Sequence, residues 1–320
     1  MATMKAIRIH QYGGPEVLQY EDAPLPEMGT EDVLVRVHAA GVNPVDWKVR
    51  EGYLRQRIAH GLPLILGWDL SGVVVDTGTA VSQLTVGAAV YGRPDIARNG
   101  TYAQYVAVRA DELALKPESL DHVHAAAVPL ACLTAWQALF EAVPPYTSVD
   151  LRAGQTILIH GAAGGVGSFA VQLAKWRGAR VVATASAHNE AFLRGLGADE
   201  VIDYTARQFE TAVARVDAVF DTVGRETQRR SWPVLKPDGV LVSITTPPSA
   251  DEARRHGCRA AYVFVQPHRS QLAEISGLID SGRLNPIVSE ILPLPDVRRA
   301  HELSQAGHVR GKLVLDVADG

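Results

Sequence analysis

Hydrophobic positions follow two different rhythms along the chain, and each rhythm predicts a different kind of structure. In the first third, short runs rich in Val, Ile and Leu are separated by turn-forming clusters such as Gly13-Gly14-Pro15 and Asp76-Thr77-Gly78. Strands that follow one another without helices between them predict a compact antiparallel or barrel-like β domain. The predicted strands are Lys5–Gln11, Asp32–Ala39, Leu70–Asp76, Ala88–Tyr91 and Tyr102–Val108. A generic β sandwich is the alternative on this pattern.

From about Asp121 onward, hydrophobic runs alternate with amphipathic segments. Strands are predicted at Thr156–His160, Arg180–Thr184, Glu200–Asp203, Ala218–Asp221 and Val240–Thr245, and helices at His122–Val143, Val166–Arg177, Asn189–Leu196 and Glu226–Leu235. This alternation is typical of an α/β domain with a doubly wound parallel sheet covered on both faces. Beyond Pro267 the pattern predicts an amphipathic helix at Gln271–Ser281 and a strand at Lys312–Val317.

Composition and charge narrow the class of protein. The 320 residues are 47% hydrophobic and 21% charged, which fits two globular domains and excludes a disordered chain. The formal charge of −4 argues against a broad nucleic-acid surface, and two cysteines are too few for a disulfide framework or a Cys-rich zinc site. No run approaches the roughly 20 apolar residues of a membrane span, and no signal peptide is visible. A soluble cytoplasmic protein is therefore expected.

A glycine-rich turn gives the first chemical signal. The strand Thr156–His160 leads into Gly161-Ala-Ala-Gly-Gly-Val-Gly167 and then into a helix. A pyrophosphate binds at such a helix N-terminus, where glycines allow close approach of the backbone and close helix packing. Ala162 replaces the first glycine of G-x-G-x-x-G, so a ligand-free tight turn is the alternative. The predicted cofactor-binding residues are Gly161, Ala163, Gly164, Gly165 and Gly167.

The segment after the next strand indicates which dinucleotide binds. An NAD site places an acid there, about 20 residues beyond the glycines, whereas this chain has Ser186-Ala-His-Asn189. A carboxylate would repel a 2′-phosphate, and Ser186, His188 and Asn189 can donate hydrogen bonds to one. The segment therefore favours NADP(H) over NAD(H). A simple turn with Asn189 as a helix cap is the alternative.

Seven short motifs extend over almost the whole chain. They are Gly41-Val-Asn-Pro-Val-Asp46, Gly67-Trp-Asp69 with Ser71-Gly72, Pro129–Leu139, the Gly161–Gly167 turn, Leu196-Gly-Ala-Asp199 with Asp203-Tyr204, Asp221-Thr-Val-Gly224 and Gly311-Lys-Leu-Val-Leu315. Their order and spacing resemble the medium-chain dehydrogenase/reductase superfamily, in its quinone oxidoreductase (zeta-crystallin-like) branch. The resemblance implies a discontinuous GroES-like β domain at residues 1–122 and 267–320, and a Rossmann domain at 123–266. It also implies a homodimer joined through the edge strand near Ala261–Val265.

The zinc alcohol dehydrogenases are the other large branch of this superfamily, and their ligand positions are changed here. Their catalytic Cys falls at Asn43, their Gly-His-Glu at Gly67-Trp68-Asp69, and their second Cys near Leu130. Zinc catalysis requires three protein ligands. At these positions the chain offers at most Asp69, so zinc catalysis is not expected. The expected cofactor is NADP(H), as the Ser186–Asn189 segment indicates, without zinc.

Without a metal, hydride transfer to a quinone or an α,β-unsaturated carbonyl is expected. Asn43 is the candidate hydrogen-bond donor to the acceptor oxygen, with a turn residue before Pro44 as the alternative. Tyr53 is the candidate second donor or proton source, or else a loop aromatic. Asp46 is expected to line the acceptor pocket, with a local ion pair or a solvated face as the alternative. Trp68, in place of a metal ligand, is expected to fill space and to shape the acceptor pocket.

The resemblance implies further cofactor contacts. It places Thr134 and Val166 near the nicotinamide, Tyr204 at the adenine-side ribose or 2′-phosphate, Val263 and Val265 at the nicotinamide through backbone groups, and Arg310 and Lys312 at the phosphates. Core packing or solvent-exposed charge is the alternative for these residues. Two other functions stay open: an NADP-dependent alcohol or ketone oxidoreductase, and an NADPH-binding protein with little turnover. No metal, nucleic-acid or membrane partner is expected.

Overall fold

The computed structural model describes residues 2–318. In chain order its elements are β1 (Thr3–Ile9), β2 (Gln19–Pro24), β3 (Asp32–Val42), α1 (Pro44–Arg50), β4 (Leu64–Ile65), β5 (Leu70–Thr77), β6 (Ala89–Gly92), β7 (Tyr105–Arg109), β8 (Leu113–Leu115), α2 (His122–Ala126), α3 (Pro129–Leu139), β9 (Thr156–Ile159), α4 (Gly165–Trp176), β10 (Arg180–Ala185), α5 (Glu190–Gly195), β11 (Glu200–Asp203), α6 (Phe209–Ala212), β12 (Val216–Asp221), α7 (Arg225–Ser231), β13 (Leu235–Ser243), α8 (Ala250–Arg255), β14 (Arg259–Tyr262), α9 (Arg269–Asp280), β15 (Val288–Pro293), α10 (Val297–Ala306) and β16 (Lys312–Asp316). Within residues 2–318, no helix is both long enough and apolar enough to cross a bilayer.

The chain divides into two compact units. Unit 1 comprises Met1–Leu130, Pro267–Gly282 and Pro286–Gly320, and unit 2 comprises Ala131–Gln266 and Arg283–Asn285. One expected domain border, after residue 266, coincides with a division between the units. The other division follows residue 130, whereas the expected border follows residue 122. The expected domain borders stay a prediction, since a division of contacts does not measure independent folding.

Unit 1 is built on two sheets whose strands are mostly antiparallel. The larger sheet has the order β15-β16-β3-β5-β6-β8, with β7 also paired to β3, and the smaller sheet has the order β2-β1-β4. Only the β15–β16 pair is parallel among these pairings of the described residues. The predicted antiparallel β domain is confirmed. Because Val42 at the end of β3 lies opposite Leu313 in β16, the register brings Asn43 and Lys312 close together.

Unit 2 contains one parallel sheet with the order β11-β10-β9-β12-β13-β14. The chain runs outward from β9 on one side and continues from β12 on the other, as in a doubly wound sheet. The predicted α/β fold is confirmed. The loops that follow β9, β10 and β12 leave the carboxyl ends of neighbouring strands, which is the edge where such sheets bind ligands.

One predicted helix is wrong. The segment His122–Val143 forms two helices, α2 and α3, instead of one. Pro129 begins α3; its ring provides no backbone N–H group and disfavours helical dihedrals at Val128. The Ala-rich composition around this point favours helix on both sides, but it does not remove the break.

A buried histidine follows β9 in unit 2. His160 is 1% exposed, and its Nδ1 and Nε2 atoms lie 3.0 Å from Thr184 Oγ1 and 3.0 Å from Ser231 Oγ. The Ser231 hydroxyl donates to the Thr227 carbonyl oxygen, so the Ser231 oxygen accepts a hydrogen bond from the ring Nε2–H. Burial lowers the pKa of His160 to about 4, so the ring is neutral at neutral pH.

This histidine predicts a loss of stability in acid. The folded-state pKa of His160 lies below the ordinary value of 6.5. The contribution of this neutral ring to the free energy of unfolding is therefore complete above pH 6.5 and is lost as the pH falls toward 4. The lost free energy of unfolding approaches about 3 kcal/mol at the acid end of this window. Urea unfolding of wild type and His160→Gln between pH 4 and 7.5 should show a shallower pH dependence for the variant. A histidine NMR titration with a His160 midpoint near 6.5 would contradict the prediction.

Candidate cofactor and acceptor sites

The first candidate site is the glycine turn of unit 2, between β9 and α4. Gly161 has φ of +63°, in the left-handed region that favours glycine. The Gly164 N–H donates to the Gly161 carbonyl oxygen at 3.1 Å, which closes the turn. No side chain caps the N-terminus of α4. Uncapped N–H groups at the positive end of a helix dipole are suited to binding a phosphate group.

Two glycines of this turn serve different purposes. A Cβ atom on Gly167 would lie 2.3 Å from the Gly161 carbonyl oxygen and 2.7 Å from Ala162 Cα, so close packing of α4 requires glycine. A Cβ atom on Gly164 would meet only the Gly161 carbonyl oxygen, at 3.4 Å. Protein packing does not require a glycine there. The open space beside Gly164 fits a cofactor whose pyrophosphate must approach the backbone closely.

The loop after β12 packs against this turn, and sequence reasoning assigned it no functional role. The Asp221 carboxylate is fully buried and accepts from the N–H groups of Val223 and Gly224, at 3.0 and 2.7 Å. The Val223 side chain is 50% exposed, and a Cβ atom on Gly161 would lie 3.3 Å from it. An acid at the end of a strand, followed three residues later by glycine, is the signal that would have indicated this ordered loop.

The predicted 2′-phosphate residues lie together in one turn after β10. Asn189 Nδ2 donates to Ser186 Oγ at 3.3 Å and lies 3.2 Å from His188 Nε2. Tyr204 follows the neighbouring strand β11; its N–H donates to the Ala185 carbonyl oxygen at 3.2 Å, and its side chain is 53% exposed. The sheet register therefore brings Tyr204 to the same edge as the Ser186–Asn189 turn.

A carboxylate also lies at this edge, at the end of β11 instead of β10. Asp203 Oδ1 accepts from the Thr205 N–H at 2.9 Å and from the Thr205 hydroxyl at 2.7 Å. The Thr205 hydroxyl is the main reason why the pKa of Asp203 lies below its usual value. Asp203 was named only as part of a family motif and was given no role, because an acid was sought only at the end of the second strand.

The other implied cofactor residues of unit 2 are mostly buried. Thr134 on α3 is 4% exposed, Val263 is 1% exposed and Val265 is 8% exposed, while Val166 is half-buried in the first turn of α4. The two other valines follow β14, the edge strand of the parallel sheet. The Val263 N–H donates to the Ser243 carbonyl oxygen at 3.0 Å. Contacts of these residues with a cofactor stay predictions.

The second candidate site is a buried polar cluster of unit 1. Asn43, 2% exposed, donates from Nδ2 to Asp69 Oδ2 at 2.8 Å and accepts at Oδ1 from the Lys312 ammonium group. Lys312 also donates to Asp69 Oδ2 at 3.2 Å and to the Val42 carbonyl oxygen at 2.9 Å. Asn43, Asp69 and Lys312 form what we term the polar triad. Burial raises the pKa of Asp69, and the Lys312 charge opposes this effect.

The triad fixes the orientation of the Asn43 amide. An ammonium group can only donate, so the atom that faces Lys312 must be the amide oxygen. The amide nitrogen consequently faces Asp69. An amide nitrogen carries two hydrogens, and one of them is bonded to Asp69 Oδ2. The second hydrogen is left for another acceptor.

Lys312 lies in a different environment from the one that the resemblance implied. Its side chain is 4% exposed, and its ammonium group has three acceptors, as many as it has hydrogens. In this arrangement the Lys312 ammonium group joins three segments of unit 1 by hydrogen bonds. The structure does not support the expected contact of Lys312 with the cofactor phosphates. Arg310, two residues earlier, is exposed and has a polar partner of its own. Its contact with the phosphates stays a prediction.

Asp46 and Trp68 were expected in the acceptor pocket, and both are fully buried. Asp46 Oδ2 accepts from the Asn43 N–H at 2.7 Å and from the Tyr102 hydroxyl at 2.7 Å, while Oδ1 has no partner. Burial raises the pKa of Asp46 to about 7. Trp68 Nε1 donates to the Arg98 carbonyl oxygen at 3.3 Å. Both side chains support unit 1 from within, and their contact with an acceptor stays a prediction.

Tyr53 lies in a very different environment, on the segment after α1. Its side chain is 67% exposed, and its ring lies edge-on to Trp47 with 6.1 Å between centroids. A hydrogen bond with Glu51 raises the pKa of the Tyr53 hydroxyl. The phenol therefore keeps its proton at neutral pH.

The positions aligned with zinc ligands do not form a zinc-binding set. Asn43 offers an amide and Trp68 offers no ligand atom, while Leu130 contributes only an N–H group, which donates to Asp69 Oδ1 at 2.6 Å. Asp69 is the one carboxylate, and an ammonium group already binds it. Zinc sites use Cys, His and carboxylate ligands. Among residues 2–318, no three side chains of His, Cys, Asp or Glu are grouped to hold a metal ion.

Two family profiles and several known proteins match this chain. The profile of the alcohol dehydrogenase GroES-like domain matches residues 29–118, and a zinc-binding dehydrogenase profile matches residues 196–315. The chloroplastic NADPH-dependent alkenal/one oxidoreductase of Arabidopsis thaliana is 36% identical, over 98% of this chain and 79% of that protein. The mitochondrial NAD(P)H oxidoreductase RTN4IP1 of Danio rerio is 32% identical, over 99% of this chain and 92% of that protein.

A solved structure extends the similarity to the fold. The quinone oxidoreductase from Coxiella burnetii has a TM-score of 0.91 and 38% identity, covering 99% of this chain and 100% of that chain. The predicted combination of a GroES-like β domain and a Rossmann parallel-sheet domain is confirmed. The chain therefore belongs to the medium-chain dehydrogenase/reductase superfamily, in its quinone oxidoreductase branch, and is an oxidoreductase that uses a nicotinamide cofactor.

Proposed function

We propose that the protein is an NADPH-dependent, zinc-independent reductase of quinones or α,β-unsaturated carbonyls. The polar triad carries this proposal, because it places an oriented amide donor where the zinc enzymes have a metal-binding cysteine. Similarity to an alkenal/one oxidoreductase and to a quinone oxidoreductase supports the same substrate class. A small-molecule acceptor, a homodimer joined along β14 and a cytoplasmic location complete the proposal.

The triad is suited to stabilising negative charge on an acceptor oxygen. NADPH, when bound, supplies the hydride, which suits acceptors that are already electron-poor. The second Nδ2 hydrogen of Asn43 donates to the acceptor oxygen as its negative charge develops. Lys312 and Asp69 prevent the amide from turning its oxygen toward this charge. An unactivated alcohol would require a Lewis acid, which an amide and a lysine-paired carboxylate do not hold.

The proton that completes the reduction comes from solvent or from Tyr53 in this proposal. The Tyr53 side chain is exposed, and its hydroxyl is hydrogen-bonded to Glu51. That bond raises the pKa of the hydroxyl, so the phenol is protonated throughout the neutral range. A protonated phenol can donate a hydrogen bond, and then a proton, to a reduced acceptor.

NADP(H) is proposed as the cofactor because of the Ser186–Asn189 turn. Ser186, His188 and Asn189 lie together there, and none of them carries a negative charge. Their hydroxyl, ring and amide N–H groups can surround a 2′-phosphate. The exposed Tyr204 side chain follows the adjacent strand.

Removing the amide donor should slow catalysis without removing the cofactor. Asn43→Ala should lower kcat on quinones and enones by about 100-fold, the usual effect of deleting one oxyanion donor. NADPH oxidation across a panel of both acceptor classes is the measurement. Asn99→Ala is the matched control, since Asn99 accepts the Ile65 N–H in the same unit. Normal kcat/KM of Asn43→Ala on every acceptor would remove Asn43 from the mechanism.

The same panel of quinones and enones, extended to alcohols, distinguishes the proposed reductase from the two alternative functions. NADP⁺ reduction that depends on an alcohol and is lost on chelation would favour a zinc dehydrogenase. Binding of NADPH without its oxidation by any acceptor would favour a protein with little turnover.

Filling the space beside Gly164 should weaken cofactor binding without unfolding the protein. In Gly164→Ala the new methyl group meets no protein atom closer than 3.4 Å, but it occupies the approach to the backbone. The Kd for NADPH should rise at least about tenfold, while Tm stays within about 2 °C of wild type. Fluorescence titration and thermal unfolding measure the two effects. Gly195→Ala, where a Cβ atom meets nothing within 4 Å, is the control; equal Kd values for both variants would contradict the assignment.

A negative charge after β10 should change the cofactor preference. Ser186→Asp places a carboxylate where the 2′-phosphate is proposed to bind, so the Kd for NADPH should rise at least about tenfold relative to that for NADH. Ser186→Asn is the matched variant of equal size without the charge. Titration of both variants with both cofactors gives the ratio of Kd values. An NADPH/NADH ratio that is the same in the two variants would rule out this position for the phosphate.

A further inference from the structure

Arg93 is a buried cation of unit 1 that takes no part in the proposed mechanism. It follows β6 and is 2% exposed; its Nε has no hydrogen-bond partner, and no ion pair among residues 2–318 includes it. Arg50, equally buried in the same unit, shows the contrast. The guanidinium group of Arg50 contacts the Gly13 carbonyl oxygen, His301 Nδ1, Glu51 Oε1 and Gln305 Oε1.

An unpaired guanidinium group in a protein interior strongly destabilises the folded chain. Burial lowers the pKa of Arg93, but an arginine side chain remains charged in proteins. The destabilisation therefore persists until a partner of opposite charge is present. Groups in such environments cluster at functional sites, where a ligand supplies the missing interaction.

The sheet register places Arg93 beside the polar triad. Leu70 in β5 lies opposite Gly92 in β6, so Asp69 and Arg93 are the residues just beyond this last pair, at the same end of the two strands. The Asp69 charge acts on Arg93. The guanidinium group therefore lies near the triad.

Asp69 is not the missing partner. Its Oδ1 atom accepts from the Leu130 N–H, and its Oδ2 atom accepts from Asn43 and Lys312. These three hydrogen bonds already commit both carboxylate oxygens within the chain. A further strong partner for Arg93 must come from another group.

Four acids act on Arg93 by their charge, but none of them forms an ion pair or a hydrogen bond with it among the described residues. Asp95, Glu112 and Asp46 act on it in addition to Asp69. Burial raises the pKa values of Glu112 and Asp46 to about 7, so both are partly protonated at neutral pH. Protonation therefore reduces the negative charge that these two acids direct at Arg93.

We propose that Arg93 binds a carboxylate group of the acceptor, so that the preferred substrate is an anionic enone or quinone instead of a neutral one. A planar guanidinium group can form two parallel hydrogen bonds with a carboxylate. The bound acceptor then supplies the partner that the chain lacks. This inference rests on the proposed reductase function and adds the chemical class of its substrate.

A matched pair of acceptors tests the proposal. Wild type should show a higher kcat/KM for 4-oxo-2-pentenoate than for its methyl ester, with NADPH as the hydride donor. Arg93→Met should lower kcat/KM for the carboxylate about 30-fold and change that for the ester less than about threefold. The Kd for NADPH should be unchanged. Arg109→Met is the control, because Arg109 is exposed and paired with Asp111, and it should leave the carboxylate-to-ester ratio unchanged.

Thermal unfolding without an acceptor provides a second readout. Replacing an unpaired buried charge by an apolar side chain should raise Tm, whereas a structural role for Arg93 predicts that Arg93→Met lowers it. A lower Tm, a weaker Kd for NADPH, or equal losses on both acceptors would overturn the proposal. Equal rates of wild type on the two acceptors would overturn it and leave the reductase function standing. If neither acceptor is reduced, the reductase function fails, and calorimetric binding of the carboxylate then decides the role of Arg93.

Discussion

The buried ammonium group of Lys312 is the interaction on which the arrangement of unit 1 depends. It joins the start of β16 to the end of β3 and to the residue before β5, through Asn43, Val42 and Asp69. A buried ion pair by itself contributes little net stability, but removing one partner leaves an uncompensated charge. The pair is therefore better understood as a positioning device: it fixes the direction in which the Asn43 amide can donate.

Unit 2 meets a different physical constraint, that of bringing a helix and a strand close together at the glycine turn. Gly167 permits the contact between α4 and the turn, and Gly164 leaves the outer side of the turn open. Ala162 stands where the G-x-G-x-x-G pattern has its first glycine. Its side chain is fully buried, so it does not disturb this arrangement. The turn consequently keeps the properties of a dinucleotide site although one residue of the fingerprint differs.

Hydrophobic runs between turn signals predicted five of the six strands of unit 2, and Glu200–Asp203 even has the observed bounds. The edge strand β14 is not among them, and only the resemblance implied it. The triad was not predictable in the same way. Asp69 and Lys312 are separated by 243 positions, and only the β3–β16 register joins them. The resemblance indicated Asn43 and Asp69 as replaced ligand positions, but it assigned Lys312 to the cofactor. Local periodicity contains no information about which buried cation will face which buried acid.

The two buried arginines of unit 1 differ in their hydrogen-bond partners. Arg50 shows that this fold can surround a guanidinium group with partners from three segments of the chain, including His301 and Gln305 on α10. The lack of partners around Arg93 is therefore not a limit of the architecture. Proteins keep such destabilising groups where function requires them. In the free protein, the unpaired Arg93 lowers the free energy of unfolding. A ligand of opposite charge removes this destabilisation, and the free energy recovered contributes to the affinity of the ligand.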